Sequence, residues 1–147
     1  MIPRVGEPFV PNQRYTLRPG AYCVLPHAGK IMLTEEFEDE PDVQLPGGGI
    51  DPGESPLQAI HREVMEETGW TVAHPRRLGA FRRFVFMPNY DMWAEKLCHV
   101  YVAHPCRQIR EPLEPFHRTL WVDQDIAVEI LGNDGDRMYL RQFLKGC

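Results

Sequence analysis

The distribution of apolar residues predicts six short strands along the chain. Runs rich in β-branched and aromatic residues, bounded by glycine, proline or charged residues, are typical of strands. Such runs occupy residues 21–26, 31–37, 43–45, 78–87, 97–103 and 118–122. The sequence His-Ala-Gly-Lys between the first two runs contains a glycine suited to a turn, so it predicts a hairpin. The polar, proline-rich residues up to Pro19 predict an extended lead-in.

Local signals predict a helix over residues 56–68. Ser55 is suited to the N-cap, Pro56 to the first helical position, and Gln58 completes a capping box. Gly69 is the expected stop at the C-terminal end. The apolar positions within this segment recur at helical spacing and predict a buried stripe of Leu57, Ile60 and Val64.

Two further helices are predicted after the last strand, at residues 125–131 and 136–144. Helices and strands are therefore interspersed, but the chain has too few regular strand-helix-strand units for a doubly wound sheet. The pattern predicts an α/β or α+β fold in which helices flank a mixed sheet. We see no repeat and no boundary, so a single domain over residues 1–147 is predicted.

Composition and charge narrow the classes of partner. The 147 residues, 43% of them hydrophobic, suffice for one domain with a buried core. The formal net charge is −5, so the chain lacks the overall basic field that binds duplex nucleic acid. No apolar stretch has the length of a signal peptide core or a membrane span. The four cysteines form no CxxC pair, which argues against zinc and redox motifs. These features predict a cytoplasmic protein with neither a duplex nor a membrane partner.

Three glutamates lie on one face of the predicted helix, near its C-terminal end. Glu63 precedes Glu66 and Glu67 by three and four residues, so the side chains are neighbours. Each like-charge pair costs on the order of a few tenths of a kcal/mol, and the negative end of the helix dipole adds a similar penalty. Arg62 relieves only part of this cost, because it precedes Glu66 in the weaker orientation. Local rules broken without local compensation often mark functional sites.

A divalent cation would explain the carboxylate face. It would keep the three side chains ionised, and hard oxygen ligands suit Mg²⁺ or Mn²⁺. The glycines at residues 47–49 allow the backbone to approach the same point, where their carbonyl oxygens can complete the coordination. The other interpretation is a solvated acidic helix end, which is common. The acidic run at residues 35–42 is similarly open between a solvated loop and a contribution to a metal or partner site.

The spacing around these glutamates resembles the Nudix box. Gly48 is followed after five residues by Glu54, and after seven more by Arg-Glu-Val-Met-Glu-Glu-Thr-Gly-Trp at residues 62–70. The family pattern is Gly, five residues, Glu, seven residues, Arg-Glu, an apolar residue, any residue, Glu-Glu, any residue, Gly and an apolar residue. Its seven fixed positions all match, and the one departure is Trp70, where a bulky aliphatic residue is usual. The chain thus resembles a Nudix protein whose box spans residues 48–70.

The resemblance implies a Nudix α/β/α sandwich that hydrolyses a nucleoside diphosphate linked to another group. The family's metal-binding glutamates are matched by Glu63, Glu66 and Glu67. Gly47 matches a residue whose carbonyl oxygen binds the metal, and Arg62 and Glu54 match residues that orient the glutamates. The implied cofactor is Mg²⁺ or Mn²⁺, and the implied partner is a small nucleotide diphosphate substrate. The resemblance also suggests a homodimer, although no sequence feature locates an interface.

The general base does not follow from the resemblance, because in this family it lies in the box or in a later loop. A carboxylate must accept the proton of the attacking water. The later candidates are Glu95, Glu111 and Glu114. Residues 110–115 predict a loop before a strand, suited to a mobile catalytic segment, and within it we favour Glu114. For each candidate taken alone, a plain surface role is the more ordinary interpretation.

Candidate substrate-binding residues lie in the second half of the chain. Tyr90 and Trp93 are able to stack on a nucleobase, although core or loop packing is the more ordinary role. Arg82 and Arg83 point to opposite faces of a strand, and we assign Arg83 to a substrate phosphate. His99 lies in an apolar strand and is interpreted as a core histidine.

Three functions remain open from the sequence. The first is a hydrolase acting on a nucleoside triphosphate or an ADP-ribose-like substrate. The second is a catalytically silent nucleotide-binding module that regulates a partner, and the retention of every box glutamate argues against it. The third is a diphosphate isomerase of the same fold, which needs further catalytic cysteine and acidic residues that we do not identify in the chain.

Overall fold

The computed structural model describes residues 1–146. The strands are β1 (Thr16–Val24), β2 (Pro26–His27), β3 (Lys30–Glu36), β4 (Asp42–Gln44), β5 (Gly47–Gly49), β6 (Trp70–Met87), β7 (Met92–Gln108) and β8 (His117–Asp123). The helices are α1 (Pro56–Thr68), α2 (Gln124–Ile130) and α3 (Asp134–Leu144), with a short 3₁₀ turn at Pro88–Tyr90. Among residues 1–146, no helix combines the length and the apolar character needed to cross a bilayer.

The strands form two four-stranded sheets. The first has the order β5-β1-β7-β6; β1 and β7 are parallel, and the other pairs are antiparallel. The second is antiparallel, with β2, β4 and β8 all paired to β3. Helix α1 packs on one side of the mixed sheet, and α3 packs against β6. The predicted mixed sheet flanked by helices is therefore confirmed.

Two hydrophobic cores lie on the two faces of the mixed sheet. Because side chains alternate along a strand, Tyr22 and Val24 of β1 enter one core, and Ala21 and Cys23 enter the other. The first core includes side chains of α2 and α3, and the second includes the buried face of α1. Strand β1 thus lies between the helical layers, which places its residues beside the box helix.

Helix α1 occupies residues 56–68, as the local signals predict. The Ser55 hydroxyl accepts the Gln58 N–H at 3.1 Å, and the Gln58 side chain accepts the Ser55 N–H at 2.8 Å. Gly69 adopts φ 78°, the left-handed conformation that favours glycine at a helix C-terminus. Ile60 and Val64 are fully buried, but the prediction for Leu57 is wrong, since it remains 41% exposed.

The N-terminal half differs from the prediction in its pairing. Strand β1 begins at Thr16 rather than after Pro19, because its first residues pair with β7. The chain then passes to the second sheet, so the predicted hairpin includes only the short β2 and the start of β3. The glycines at residues 47–49, which were not among the predicted strands, form β5, an edge strand on β1 that is called the glycine strand below.

Asp136 is a buried carboxylate that joins α3 to the strand region. It is only 2% exposed, and it accepts the backbone N–H of Leu45 at 3.1 Å. Burial raises the pKa of this carboxyl group, and the hydrogen bond from Leu45 opposes the shift. The folded state therefore binds its proton more tightly than the unfolded chain, and stability is lost as the pH rises above the ordinary pKa.

We expect Asp136→Asn to remove this pH dependence. As the pH rises from about 4 to about 8, the free energy of unfolding of the variant minus that of the wild type should increase by on the order of 1 kcal/mol. Urea unfolding across this range, with the exposed Asp125→Asn as control, measures the difference. Parallel pH profiles for Asp136→Asn and the wild type would contradict the assignment.

Candidate active site

Arg62 joins the glycine strand to the carboxylate face of α1. Its Nε and Nη2 atoms donate to the two carboxylate oxygens of Glu54, each at 2.8 Å. Its Nη1 lies 2.9 Å from Glu63 Oε1 and 3.4 Å from Glu66 Oε2, while Nη2 also donates to the Gly49 carbonyl at 2.9 Å. One planar guanidinium thus orients three acidic side chains and one backbone oxygen.

The same contacts perturb the acidities of the paired groups. The hydrogen bonds from Arg62 lower the pKa of Glu54 to about 2, so this carboxylate stays ionised in any ordinary buffer. For Glu63, burial raises the pKa, and the contact with Arg62 opposes that shift. Glu54 therefore holds Arg62 in place, while Glu63 carries a charge that its surroundings disfavour.

Glu67 is the most deeply buried acid of the box. Its side chain is only 6% exposed, and Oε1 accepts the Gly47 N–H at 2.8 Å. Burial raises the pKa of Glu67 well above its ordinary value, and the charges of Glu63, Glu114 and Glu66 raise it further. A buried carboxylate surrounded by other carboxylates needs a cation before it can remain ionised at neutral pH.

The glycine strand brings backbone directly against these acids. A Cβ at Gly48 would lie 2.6 Å from the Glu63 carboxyl carbon, so only glycine leaves Glu63 in its place. Gly47 adopts φ 151°, and a Cβ there would overlap the backbone of Ala21 and Tyr22. These two glycines are therefore required by close packing on opposite sides of the strand.

The loop between β7 and β8 is attached to the end of α1. The N–H groups of Leu113 and Glu114 donate to the Glu66 carbonyl at 2.8 and 3.4 Å, and the Ile109 N–H donates to the Gly69 carbonyl. These bonds satisfy carbonyl groups that a helix C-terminus otherwise leaves free. They also hold Glu114 beside the box carboxylates.

A cavity of about 270 Å³ opens beside these groups, and it has an acidic and a basic part. Its acidic side chains are Glu63, Glu67 and Glu114. Its cations are Arg18 from β1 and Lys96 from β7, while the glycine strand, Tyr22 and His117 complete much of the wall. This arrangement suits a ligand whose negative charges extend between a metal on the acids and the two cations.

A second cavity, of about 680 Å³, adjoins the first and is mostly aromatic and apolar. It is lined by Phe84, Phe86 and Trp93, and by Pro8 and Val10 of the N-terminal segment. Three residues line both cavities: Met87, Tyr90 and Lys96. The two cavities therefore meet at a common wall.

The structure separates the three candidates for the general base. Glu114 lines the acidic cavity, and its charge raises the pKa of both Glu63 and Glu67. Glu95 forms an ion pair with Arg82 at 3.5 Å and does not line the cavity. Glu111 is exposed and also absent from the cavity wall. Glu114 alone of the three faces the box glutamates.

The predicted substrate-binding residues lie around the second cavity. Arg83 lines it, but its guanidinium forms two hydrogen bonds with Glu7, at 2.9 and 3.2 Å. Trp93 lines it and packs against Phe86 in a tilted arrangement, at a centroid distance of 5.4 Å. Tyr90 lies at the junction and is 56% exposed. His99 is only half-buried and contacts Arg77 at 3.0 Å, so its interpretation as a core residue is wrong.

Three cavity residues were not anticipated from the sequence. His117 Nε2 lies 3.9 Å from Glu67 Oε2 and 4.0 Å from Glu36 Oε2. Arg18 and Lys96 are strand residues that lie opposite each other in the β1–β7 register. No local motif marks these positions, since they meet only through the pairing of distant strands.

The acidic part of the cavity is chemically suited to a hard divalent cation. Its donors are carboxylate oxygens, and the glycine strand leaves no side chain between them and the backbone. Within residues 1–146, no three acidic, histidine or cysteine side chains converge closely enough to hold a metal ion. Arg62 instead lies between Glu63 and Glu66, while Glu67 is turned to Gly47.

Comparison with known proteins agrees with this geometry. The NUDIX domain family model matches residues 16–143. The chain is 30% identical over 137 residues to an ADP-ribose pyrophosphatase of Bacillus subtilis, covering 86% of this chain and 67% of that protein. It is also 48% identical over 44 residues to an RNA pyrophosphohydrolase of Helicobacter pylori, but spans only 28% of that relative.

The solved structures agree on the fold. A NUDIX hydrolase from Nitrosomonas europaea superimposes with a TM-score of 0.74 at 20% identity, covering 89% of this chain and 90% of that one. A likeness at this identity establishes the architecture, and the family model covers most of the chain. The prediction from the box at residues 48–70 is thereby confirmed: the chain belongs to the Nudix hydrolase family.

Proposed function

We propose that this protein hydrolyses a phosphoanhydride bond in a nucleoside diphosphate derivative, with Mg²⁺ or Mn²⁺ as cofactor. The observation that carries the proposal is the pair of adjoining cavities. One contains Glu63 and Glu67 together with two cations, and the other is lined by aromatic rings. The charged cavity suits a diphosphate, and the aromatic cavity suits a nucleoside. The family membership supports the assignment.

Each group in or beside the acidic part of the first cavity has a distinct proposed role. Glu63, Glu66 and Glu67 would hold the metal, with the carbonyl oxygen of Gly47 as a further ligand. Bound there, a divalent cation supplies positive charge to the phosphoryl oxygens and aligns the substrate for attack. Arg62 orients Glu63 and Glu66 through the contacts described above. Glu114 is proposed to accept the proton of the attacking water.

The second cavity is proposed to hold the nucleoside. Tyr90 and Trp93 are the rings available for stacking on a base, a contact of about 1–3 kcal/mol. Arg83 is already neutralised by Glu7, so its proposed contact with substrate is a hydrogen bond rather than compensation of a full charge. The relatives named above are described as an ADP-ribose pyrophosphatase and an RNA pyrophosphohydrolase, and these descriptions support a substrate of this class.

A substrate panel tests the proposal. The protein is incubated with Mg²⁺ and with nucleoside triphosphates, ADP-ribose, nucleotide sugars, dinucleoside polyphosphates or capped RNA, and released phosphate or mononucleotide is measured. We expect metal-dependent turnover of at least one compound. Binding of a nucleotide without turnover of any compound would favour the alternative, a catalytically silent regulatory module.

Glu114→Gln tests the general base on the best substrate of that panel. Loss of a positioned base is expected to lower kcat by about a hundredfold or more, with a smaller change in KM. The matched control is Glu111→Gln, which alters the same loop outside the cavity. Equal losses in the two variants would show that the loop, and not the Glu114 carboxylate, matters.

A further inference from the structure

Two cations lie side by side in the wall of the first cavity. Arg18 of β1 and Lys96 of β7 are direct partners in the parallel register, so their backbones are about 4.8 Å apart. Both side chains line the same cavity as Glu63 and Glu67. Like charges placed directly opposite on neighbouring strands destabilise a sheet, which calls for an explanation.

Neighbouring acids do not neutralise this pair. Across residues 1–146, neither Arg18 nor Lys96 forms an ion pair with a carboxylate. Each contacts an aromatic ring instead: the Arg18 guanidinium lies 4.9 Å from the Tyr90 ring centre, and Lys96 Nζ lies 5.9 Å from that of Tyr22. Aromatic faces orient cations without cancelling their charge, so the pair remains available to an anion.

The position of the pair specifies which part of a substrate it would contact. Lys96 and Tyr90 line both cavities, and Arg18 stacks on Tyr90. The pair therefore lies where the second cavity meets the first. If the nucleoside occupies the second cavity, the phosphate at this junction is the one attached directly to the nucleoside.

We infer that Arg18 and Lys96 bind the 5′-phosphate attached to the nucleoside, and that this contact selects phosphorylated nucleosides as ligands. The inference builds on the proposed function, because it assigns the nucleoside to the second cavity. Gly20 of β1 lies between the Arg18 and Tyr22 positions on the same strand face, and the Tyr22 ring packs closely over it, since a Cβ there would lie 3.0–3.1 Å from Tyr22 and Gly48. The metal then serves the more distant phosphate, beside the carboxylates.

Binding without metal tests the inference separately from catalysis. Isothermal titration with EDTA compares a nucleoside monophosphate, the matching nucleoside, and inorganic phosphate, for each of the four common bases. We expect the wild type to bind the monophosphate at least tenfold more tightly than the nucleoside or inorganic phosphate. Arg18→Gln and Lys96→Gln should each weaken the monophosphate about tenfold and leave the nucleoside within twofold.

Matched variants separate charge from structure. Arg107→Gln removes an exposed cation from the same strand as Lys96, outside both cavities, and should leave every affinity unchanged. Arg18→Lys and Lys96→Arg keep the charge and should restore most of the affinity. Thermal unfolding identifies any variant that has lost its fold, and binding is then compared in the charge-conserving variant of the same residue.

Two results would overturn the inference. One is monophosphate binding that changes less than twofold in both glutamine variants. The other is an equal loss of nucleoside and monophosphate affinity, which would mean that Arg18 only supports the Tyr90 ring. Failure of the proposed function is distinguishable, because it requires that no compound of the panel be hydrolysed by the wild type, whatever the monophosphate affinities are.

Discussion

Replacing Glu67 by glutamine is expected to lower kcat by about a thousandfold on the best substrate of the panel. Glutamine keeps the shape of the side chain, and its carbonyl oxygen can still accept the Gly47 N–H, so the link between α1 and the glycine strand persists. What the substitution removes is one negative charge at the centre of the carboxylate face. The loss should therefore appear in kcat and in the concentration of Mg²⁺ needed for activity.

The same variant should be more stable than the wild type when metal is absent. Glu67 is almost fully buried, and burial with three acidic neighbours raises its pKa, so its charge opposes folding at neutral pH. Thermal unfolding in EDTA should show a higher Tm for Glu67→Gln, and added Mg²⁺ should stabilise the wild type much more than the variant. The exposed Glu129→Gln is the control. Undiminished turnover in Glu67→Gln would contradict the assigned site.

Alanine substitutions at the first two glycines of the glycine strand should affect different properties: stability at Gly47 and activity at Gly48. At Gly47, a Cβ would overlap the Ala21 carbonyl and lie 2.7 Å from the Tyr22 Cα, and the positive φ is unfavourable for alanine. Backbone cannot move aside without breaking the β1–β5 pairing. We expect Gly47→Ala to lower the free energy of unfolding by about 3 kcal/mol, or to prevent folding.

At Gly48 the obstacle is a flexible side chain, so stability should change little. The new Cβ would lie 2.6–2.7 Å from the Glu63 carboxyl atoms, and this carboxylate must move by an ångström or so. A displacement of about 1 Å in a catalytic group can cost about a hundredfold in rate, and we expect that loss in kcat for Gly48→Ala.

Gly49→Ala is the matched comparison for both variants. No atom lies within 4 Å of the point that its Cβ would occupy, so it should retain more activity than Gly48→Ala and more stability than Gly47→Ala. Urea unfolding and steady-state kinetics on the three proteins give the result. A similar loss of stability at all three positions would mean that these glycines are required for backbone conformation and not for the specific close contacts.

The sequence alone determined the local structure and the chemistry of the box. Capping signals at Ser55, Gln58 and Gly69 act over a few residues, so they defined α1 without knowledge of the fold. The positions of Glu63, Glu66 and Glu67 on one helical face follow from helical periodicity. For the same reason, the spacing from Gly48 to Trp70 was sufficient to indicate the family that the comparisons confirm.

Only the tertiary structure decided what surrounds that helix. Arg18 and Lys96 are 78 residues apart in the sequence and become neighbours through the parallel pairing of β1 with β7. The sequence favoured Glu114 among the candidate acids, but its place beside the box glutamates depends on hydrogen bonds from the β7–β8 loop to the end of α1. The neutralisation of Arg83 likewise depends on Glu7 in the N-terminal segment. Local patterns carry no information about such contacts, because strand register and loop attachment are set by the packing of the whole chain.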